Sequence, residues 1–260
     1  MGFLGLTWSG PSRVWVWVGL AVLAGYLLVA ARTSPAEGAA GSPPDRAEYL
    51  RRWSVLHGDH DPTGSPVTLW WLTLVRRLAG PLASRGVRPA VVTGWGLWAA
   101  AVVPAACAGS GRWPLLGVLA VAVSGVLDNL DGAVAVLSGR VSRFGYVWDS
   151  VADRCADTAY VLALFLLGAP GWLAVIGGGL AAGQEYTRAR AGNAGMGQIG
   201  VVTVSERPTR VLVTTFTLLG AGLWPPVGGV VATVGAAAWT VLGLVGFVQV
   251  VVAVHAALRD

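Results

Sequence analysis

The sequence predicts an all-α, multi-pass membrane protein. Of its 260 residues, 55% are hydrophobic and only 12% are charged, whereas about 25% of residues are charged in soluble domains. The apolar residues also stand in blocks that are long enough, as helices, to cross about 30 Å of hydrocarbon. Composition and block length together favour a lipid bilayer over water as the solvent of this chain.

The first apolar block runs from Val14 to Ala31 and is flanked by Arg13 and Arg32. It is longer than the apolar core of a signal peptide, which has about 7–15 residues. We therefore predict an uncleaved N-terminal transmembrane helix over residues 1–32, with a cleaved signal peptide as the alternative. Residues 33–65 are a predicted cytoplasmic linker, rich in Ala, Gly, Ser and Pro at first and charged afterwards.

The membrane domain is predicted over residues 66–260. It opens with an amphipathic stretch, 65–85, in which leucines and tryptophans stand beside Arg76 and Arg77. This pattern is typical of a helix that lies along the membrane interface. Six further apolar blocks predict a six-helix transmembrane core, at about 89–108, 113–138, 144–168, 171–187, 208–223 and 226–257.

The basic residues indicate the orientation of these helices. All 18 are arginines, and they cluster at alternate ends of the blocks, whereas the opposite ends carry only Arg112 and three tryptophans, Trp113, Trp172 and Trp224. By the positive-inside rule the arginine-rich ends are cytoplasmic, and we predict a plasma-membrane protein. A net charge of +5 is also compatible with nucleic acid, but arginines at helix ends favour the membrane surface.

Five aspartates lie within or at the edge of two adjacent predicted transmembrane helices, and the candidate site uses all of them except Asp157. Asp128 and Asp131 are three residues apart, and Asp149 and Asp153 are four apart, so each pair shares a helix face. A turn at residues 138–140 joins the two helices as a hairpin, which can bring both faces to one depth. Each ionised aspartate costs about 2.5–3.5 kcal/mol in the membrane, and a divalent cation would offset that cost. The cluster therefore predicts a site for Mg²⁺ or Mn²⁺.

Two alternative roles of these carboxylates stay open at this point. They could form structural ion pairs with Arg140, Arg143 and Arg154, which would account for one or two of them. They could also line the cation path of a transporter, which would need carboxylates spread across the depth of the bilayer.

The same residues resemble the signature of a known family. Asp128-Asn-Leu-Asp131-Gly132-Ala-Val-Ala135, followed by Gly145, Asp149 and Asp153, matches D-x2-D-G-x2-A-R-x8-G-x3-D-x3-D except at Val136, which replaces the arginine. This pattern resembles that of the CDP-alcohol phosphatidyltransferases. The segment Arg88-Pro-Ala-Val-Val-Thr93 is also similar to the start of that family's first core helix, with Ala90 in place of the usual asparagine.

The resemblance implies a transferase of phospholipid biosynthesis that moves a phosphatidyl group from CDP-diacylglycerol to an alcohol and releases CMP. It implies two metal ions held by Asp128, Asp131, Asp149 and Asp153, with Asp153 also acting as general base. The CDP-linked donor would contact Gly132, Ala135, Gly145, Thr93 and Arg140. A homodimer is also implied. Because of Val136, an inactive member that acts as a membrane binding or scaffold protein remains an alternative.

A group of arginines at one predicted cytoplasmic edge is the candidate site for an acceptor phosphate: Arg188, Arg190, Arg207 and Arg210. Arginine forks bind phosphate oxygens bidentately, whereas anchoring at the membrane surface is the simpler role. The pattern Tyr-x-Arg-Ala-Arg with a later Glu-Arg-Pro-x-Arg resembles the subgroup that makes phosphatidylinositol phosphate, although Gly192 replaces a common acidic residue. The acceptor would then be an inositol phosphate, with glycerol 3-phosphate as the rival.

Overall fold

The structure, a computed structural model, describes residues 44–56, 61–109, 111–196 and 202–259. Within these ranges all regular elements are helical and strands do not occur, which confirms the predicted all-α class. The predicted N-terminal transmembrane helix over residues 1–32 lies outside the described residues, as does the first part of the linker.

The described chain forms eight α-helices in sequence: α1 Arg46–Leu56, α2 Pro66–Ser84, α3 Pro89–Cys107, α4 Pro114–Ser138, α5 Arg143–Leu166, α6 Gly171–Asn193, α7 Arg207–Leu223 and α8 Gly228–Ala257. One-turn 3-10 helices at Pro62–Gly64 and Pro225–Val227 precede α2 and α8. Helices α2 to α8 follow the predicted amphipathic helix and the six apolar blocks in order. Helix α6 continues beyond its apolar block and therefore carries Arg188 and Arg190.

Three of these elements are long and apolar enough to cross a membrane: α3, α4 and the continuous helical stretch Pro225–Ala257. This supports the prediction of a multi-pass membrane protein. Helix α8 shows the expected distribution of side chains, because its buried positions are mostly small residues, whereas Val230, Val234 and Val252 are more than half exposed. Small residues allow helices to approach closely in a membrane, and large apolar side chains are solvated by lipid.

The described residues divide into two compact units. The aspartate unit contains the residues up to Trp98 together with Val123–Asp153, and the arginine unit contains Ala99–Ala122 and the residues from Arg154 onwards. The aspartate unit therefore holds α1, α2, the first part of α3, the end of α4 and the start of α5. The arginine unit holds α6, α7, α8 and the remaining parts of α3, α4 and α5.

An apolar cluster forms the core of the aspartate unit. Helix α2 contributes Leu72, Val75, Ala79 and Ala83, whose spacing of three and four residues places them on one helix face. Helix α1 adds Tyr49, α3 adds Val92, and α4 adds a set that includes Val134, Val136 and Leu137. Helix α2 is capped by Ser65, whose hydroxyl accepts a hydrogen bond from the backbone N–H of Thr68 at 3.3 Å.

Helix α1 was not expected from the sequence, which shows only a charged segment there. Asp45 caps its start by accepting a hydrogen bond from the N–H of Glu48 at 2.8 Å. Hydrogen bonds from Arg51 and then Arg52 lower the pKa of the exposed Glu48 to about 2, as expected for pairs one helical turn apart. The buried ring of Tyr49 fixes α1 to the core of the aspartate unit.

In the arginine unit, glycines let helices α7 and α8 approach closely. A Cβ atom built on Gly235 of α8 would lie 2.0 Å from Oγ1 and 2.9 Å from Cβ of Thr217 on α7. The Thr217 hydroxyl donates to the Val213 carbonyl at 2.7 Å, which limits its freedom to move away.

We expect Gly235→Ala to force α7 and α8 apart and to cost about 1–3 kcal/mol, the usual penalty of overpacking. Gly179→Ala is the matched control, because a Cβ on this α6 glycine would meet nothing within 4 Å and alanine favours helix by about 1 kcal/mol. Thermal unfolding of the purified variants in detergent measures the difference. Equal unfolding midpoints for Gly235→Ala and wild type would contradict this packing.

Candidate metal centre

The hairpin between α4 and α5 is built by local capping. Gly139 adopts a φ of 66°, and the N–H groups of Gly139 and Arg140 donate to the carbonyls of Val136 and Ala135 at 3.4 and 2.9 Å. This double hydrogen bond is the Schellman arrangement, in which a glycine ends the helix in the left-handed region. Ser142 then caps α5 by accepting from the N–H of Gly145 at 2.9 Å. The predicted hairpin is therefore present.

Three of the predicted aspartates converge within the aspartate unit. Asp128 lies on α4, and Asp149 and Asp153 lie one turn apart on α5. Each contributes one carboxylate oxygen, and these three oxygens lie within 4.8 Å of one another. All three side chains are partly exposed, so a ligand can reach them. Three hard, anionic oxygen donors at this spacing fit a divalent cation such as Mg²⁺ or Mn²⁺.

Asp131, the fourth aspartate, is held differently from the other three. It is buried, its Oδ2 accepts a hydrogen bond from the Thr93 hydroxyl at 2.5 Å, and its Oδ1 accepts one from the N–H of Gly132 at 2.6 Å. The charges of Asp149 and Asp153 also act on it. Both oxygens of Asp131 are thus oriented by protein donors. Sequence reasoning missed this contact, because Thr93 was predicted to touch the donor.

The residues predicted to receive the CDP-linked donor lie in distinct environments. Gly132 is exposed, and a Cβ atom there would meet nothing within 4 Å, whereas one on Gly145 would meet the Ser142 hydroxyl at 3.0 Å. Ala135 is half-buried. Arg140 donates from Nη1 to the Gly86 carbonyl at 3.0 Å and so links the end of α4 to the residues after α2. Open space beside Gly132 is what a bulky ligand would need there.

Two of the arginines predicted to bind an acceptor phosphate, Arg188 and Arg210, form ion pairs within the arginine unit. Arg210 is buried and bonds to Asp157 at 2.7 Å, and Asp157 also pairs with Arg154 at 3.0 Å. Arg188 pairs with Glu185 at 3.1 Å and also with Glu206. Two other members of the predicted group are more accessible: Arg190 is exposed and Arg207, the first residue of α7, is half-buried.

Glu206 receives several donors just before α7 begins. Burial acts against its ionised form, but hydrogen bonds from Arg188 and from the N–H and hydroxyl of Thr203 lower its pKa below the ordinary value. Sequence reasoning did not identify Glu185 or Glu206 as partners of the arginines. The spacing of Glu185 and Arg188, one helical turn apart, is a signal that could have revealed the first of them.

Comparison with known proteins adds independent information to this geometry. The sequence profile of the CDP-alcohol phosphatidyltransferases matches residues 86–255, a range that includes all four aspartates. The chain belongs to this family. The match begins after α2, so helices α1 and α2 precede the matched residues.

Several members of the family are similar to this chain. The archaetidylinositol phosphate synthase of Pyrococcus horikoshii is 35% identical over 103 residues, 38% of this chain and 53% of that protein. The chain thus spans about half the length of this relative. The phosphatidylinositol phosphate synthase of Cutibacterium acnes is 30% identical over 201 residues, 73% of this chain and 96% of that protein.

Solved structures of the Mycobacterium tuberculosis phosphatidylinositol phosphate synthase share the fold. One, with CDP-DAG bound, superposes with a TM-score of 0.55 and 27% identity over 72% of this chain and 98% of that chain. Another, in complex with manganese and citrate, gives a TM-score of 0.56 and 25% identity over 72% of this chain and 92% of that chain.

Val136, the departure from the family signature, lies in the apolar cluster of the aspartate unit. It is 3% exposed and is grouped there with Tyr49 of α1 and with Leu72 and Val75 of α2. An arginine at this position would place its guanidinium among apolar side chains, where an unpaired charge is costly. Valine is therefore consistent with its surroundings in this chain.

We expect Val136→Arg to lower stability by about 3–5 kcal/mol, as an uncompensated buried charge does. Val136→Met is the control for side-chain length, with an overpacking cost of about 1–3 kcal/mol. Thermal unfolding in detergent compares the two variants. An arginine variant that is as stable as the methionine variant would show that position 136 has access to water or to an anion.

Proposed function

We propose that this protein transfers a phosphatidyl group from CDP-diacylglycerol to an alcohol acceptor and releases CMP, in a metal-dependent reaction of phospholipid biosynthesis. The observation that carries the proposal is the convergence of Asp128, Asp149 and Asp153, with oxygen atoms within 4.8 Å of one another, inside the family signature. Membership of the CDP-alcohol phosphatidyltransferases supports the reaction type. A related synthase crystallised with CDP-DAG supports the class of donor.

The metal centre of the proposal consists of Asp128, Asp131, Asp149 and Asp153, which would hold two Mg²⁺ or Mn²⁺ ions. The manganese in a structure of the related synthase supports this choice. Bound divalent cations would neutralise the diphosphate of the donor and stabilise the charge that develops on the transferred phosphoryl group. The four aspartates supply four formal negative charges, which balance the charge of two divalent cations. They lie on two helices, α4 and α5, whose adjoining ends are fixed by the capped hairpin.

Asp153 is the general base of the proposed reaction. The Asp153 carboxylate accepts the proton of the acceptor hydroxyl, while the oxygen of that hydroxyl forms a bond to the phosphorus that bears the lipid. The bond from that phosphorus to the CMP oxygen breaks, and CMP leaves with the electron pair. Asp153 is suited to this role because it is partly exposed, whereas Asp131 is buried and fixed by two donors.

The donor, in this proposal, lies against Gly132, Ala135 and Gly145, with Arg140 as a further contact, whereas the Thr93 hydroxyl is directed to Asp131. The open space at Gly132 supports a ligand there, because a Cβ at this position would meet no other atom within 4 Å. Arg140, the second residue after the end of α4, would bring positive charge to this end of the helix, four residues after Val136. Its hydrogen bond to the Gly86 carbonyl fixes one of its nitrogens.

The acceptor of the proposal is a phosphorylated polyol, most simply an inositol phosphate, with glycerol 3-phosphate as the rival. The names of the relatives, phosphatidylinositol and archaetidylinositol phosphate synthases, support an inositol phosphate. Of the four candidate arginines, Arg190 is exposed and Arg207 is half-buried at the start of α7, whereas the side chain of Arg188 is 16% exposed and that of Arg210 only 3%. On this accessibility we assign the phosphate contacts first to Arg190 and Arg207, and the other two to holding the site together.

The membrane arrangement is part of the same proposal. Residues 66–260 form the catalytic domain with six transmembrane helices, preceded by the N-terminal helix of residues 1–32 and the linker. The arginine-rich helix ends face the cytoplasm, and the protein lies in the plasma membrane. It acts as a homodimer. Three helices long and apolar enough to span support multiple crossings.

We expect the purified protein in vesicles with CDP-diacylglycerol and Mn²⁺ to release CMP when a suitable acceptor is added. Asp153→Asn should reduce the rate by about 100-fold or more, since general acid–base catalysis contributes about 10²–10⁴-fold. EDTA should abolish release, and added Mn²⁺ should restore it. Glu48→Gln is the matched control, because Glu48 is paired with Arg51 and Arg52 on α1.

Wild-type protein that releases no CMP with inositol phosphate, glycerol 3-phosphate or unphosphorylated polyols would overturn the proposed reaction and favour an inactive family member. Full activity of Asp153→Asn would contradict only the assignment of the base.

The acceptor assignment makes a separate prediction. Arg190→Gln and Arg207→Gln should each raise the KM for the phosphorylated acceptor about 10-fold or more and leave the KM for CDP-diacylglycerol unchanged, because a hydrogen bond to a charged group contributes about 1.5–3 kcal/mol. Arg85→Gln removes one charge from the exposed end of α2 and serves as the control. If all three variants change the KM for the phosphorylated acceptor to the same extent, Arg190 and Arg207 contribute only general positive charge at the membrane surface.

A further inference from the structure

Thr93 is buried near the start of α3, and its hydroxyl has two acceptors within reach. Asp131 Oδ2 lies at 2.5 Å and the Pro89 carbonyl, one turn earlier in the helix, at 3.1 Å. A hydroxyl has one proton to donate. The contact to the Asp131 oxygen is the shorter of the two and therefore the stronger hydrogen bond, so the hydroxyl proton goes to Asp131. The usual alternative for a helical threonine, donation to the carbonyl four residues earlier, is the weaker contact here.

The two hydrogen bonds to Asp131 fix its carboxylate from two directions. Thr93 holds Oδ2 from α3 and lies 38 residues earlier in the chain, and the N–H of Gly132 holds Oδ1 from α4 itself. A carboxylate oxygen can accept more than one bond, so each oxygen keeps capacity for a cation. Without the Thr93 hydroxyl, the adjacent backbone would be left to orient Asp131 against the charges of Asp149 and Asp153.

We propose that Thr93 is a positioning residue of the metal centre, which sets the direction of the Asp131 carboxylate and thereby the affinity of the site for its divalent cation. This inference rests on the proposed function only in taking the four aspartates as metal ligands. It gives Thr93 a role through Asp131 instead of through contact with the cytidine or diphosphate of the donor. Groups that hydrogen-bond to metal ligands typically change metal affinity by about 10–100-fold when they are removed.

The test is the affinity for Mn²⁺, measured by electron paramagnetic resonance on purified protein in lipid nanodiscs without any CDP-linked donor. Thr93→Val removes the hydroxyl and keeps the shape, and it should weaken Mn²⁺ binding about 10–100-fold. Thr93→Ser keeps the hydroxyl and should bind within a few-fold of wild type. Thr214→Val is the control, because Thr214 is also buried in a helix and donates to a backbone carbonyl, that of Arg210, at 2.9 Å.

A second readout separates positioning from donor contact. A positioning role predicts that the KM for CDP-diacylglycerol of Thr93→Val returns towards the wild-type value when Mn²⁺ is saturating. A direct contact with the donor predicts a raised KM at every Mn²⁺ concentration, together with unchanged Mn²⁺ affinity, and that result would overturn the proposal. Equal weakening of Mn²⁺ binding in Thr93→Val and Thr214→Val would overturn it as well, since it would reflect a general loss of packing.

The outcome for Thr93 is distinguishable from that for the reaction itself. Wild-type protein that binds Mn²⁺ through the aspartates, with binding lost in Asp149→Asn, but releases no CMP would refute the proposed function and leave the role of Thr93 intact. Wild-type protein without a Mn²⁺ site would refute both.

Discussion

The mutual repulsion of carboxylates is the constraint on which the aspartate unit depends. Three oxygen atoms from Asp128, Asp149 and Asp153 lie within 4.8 Å of one another, and unit charges at such separations repel strongly when water is scarce. The surrounding structure holds them there by local means: a glycine C-cap and a serine N-cap fix the hairpin, and the apolar cluster fixes α4 against α2. The capped hairpin and the apolar cluster therefore preorganise the three carboxylates, and the same preorganisation costs electrostatic free energy because the carboxylates repel one another.

The sequence was most informative where spacing alone decides the structure. Long apolar blocks predicted α3 to α8 in order. A spacing of four brought Asp149 and Asp153 together with Asp128, whereas Asp131, three residues from Asp128, is buried and lies outside that group. Contacts between distant residues could not be predicted in this way: Thr93 and Asp131 are 38 residues apart, and Arg210 and Asp157 are 53 apart. Helix α1 was missed for a related reason, because its sequence is rich in charged residues. It joins the core through one fully buried side chain, Tyr49, with Leu50 and Trp53 partly buried against the same cluster.

The valine in place of the signature arginine is understandable from packing. Val136 belongs to a buried apolar cluster that includes side chains of α1 and α2, and these two helices precede the residues that match the family. Within such a cluster a guanidinium would lose its hydration without gaining a partner among the apolar side chains. The valine at position 136 is thus consistent with the apolar side chains that α1 and α2 contribute to the same cluster. Positive charge for a diphosphate must then come from elsewhere, and Arg140 lies four residues later, just beyond the end of α4.

The two units arrange their charged side chains in opposite ways, and the difference supports the proposed position of the cation. In the arginine unit, arginines and acids alternate in space, as in Arg154, Asp157 and Arg210, and such a network balances its own charge. In the aspartate unit, side chains of the same sign converge on one another, and their arrangement is most favourable when a cation joins them. Binding free energy of that cation is then also folding free energy. A same-sign cluster on two capped helices is therefore the feature of this fold that best supports the proposed cation site.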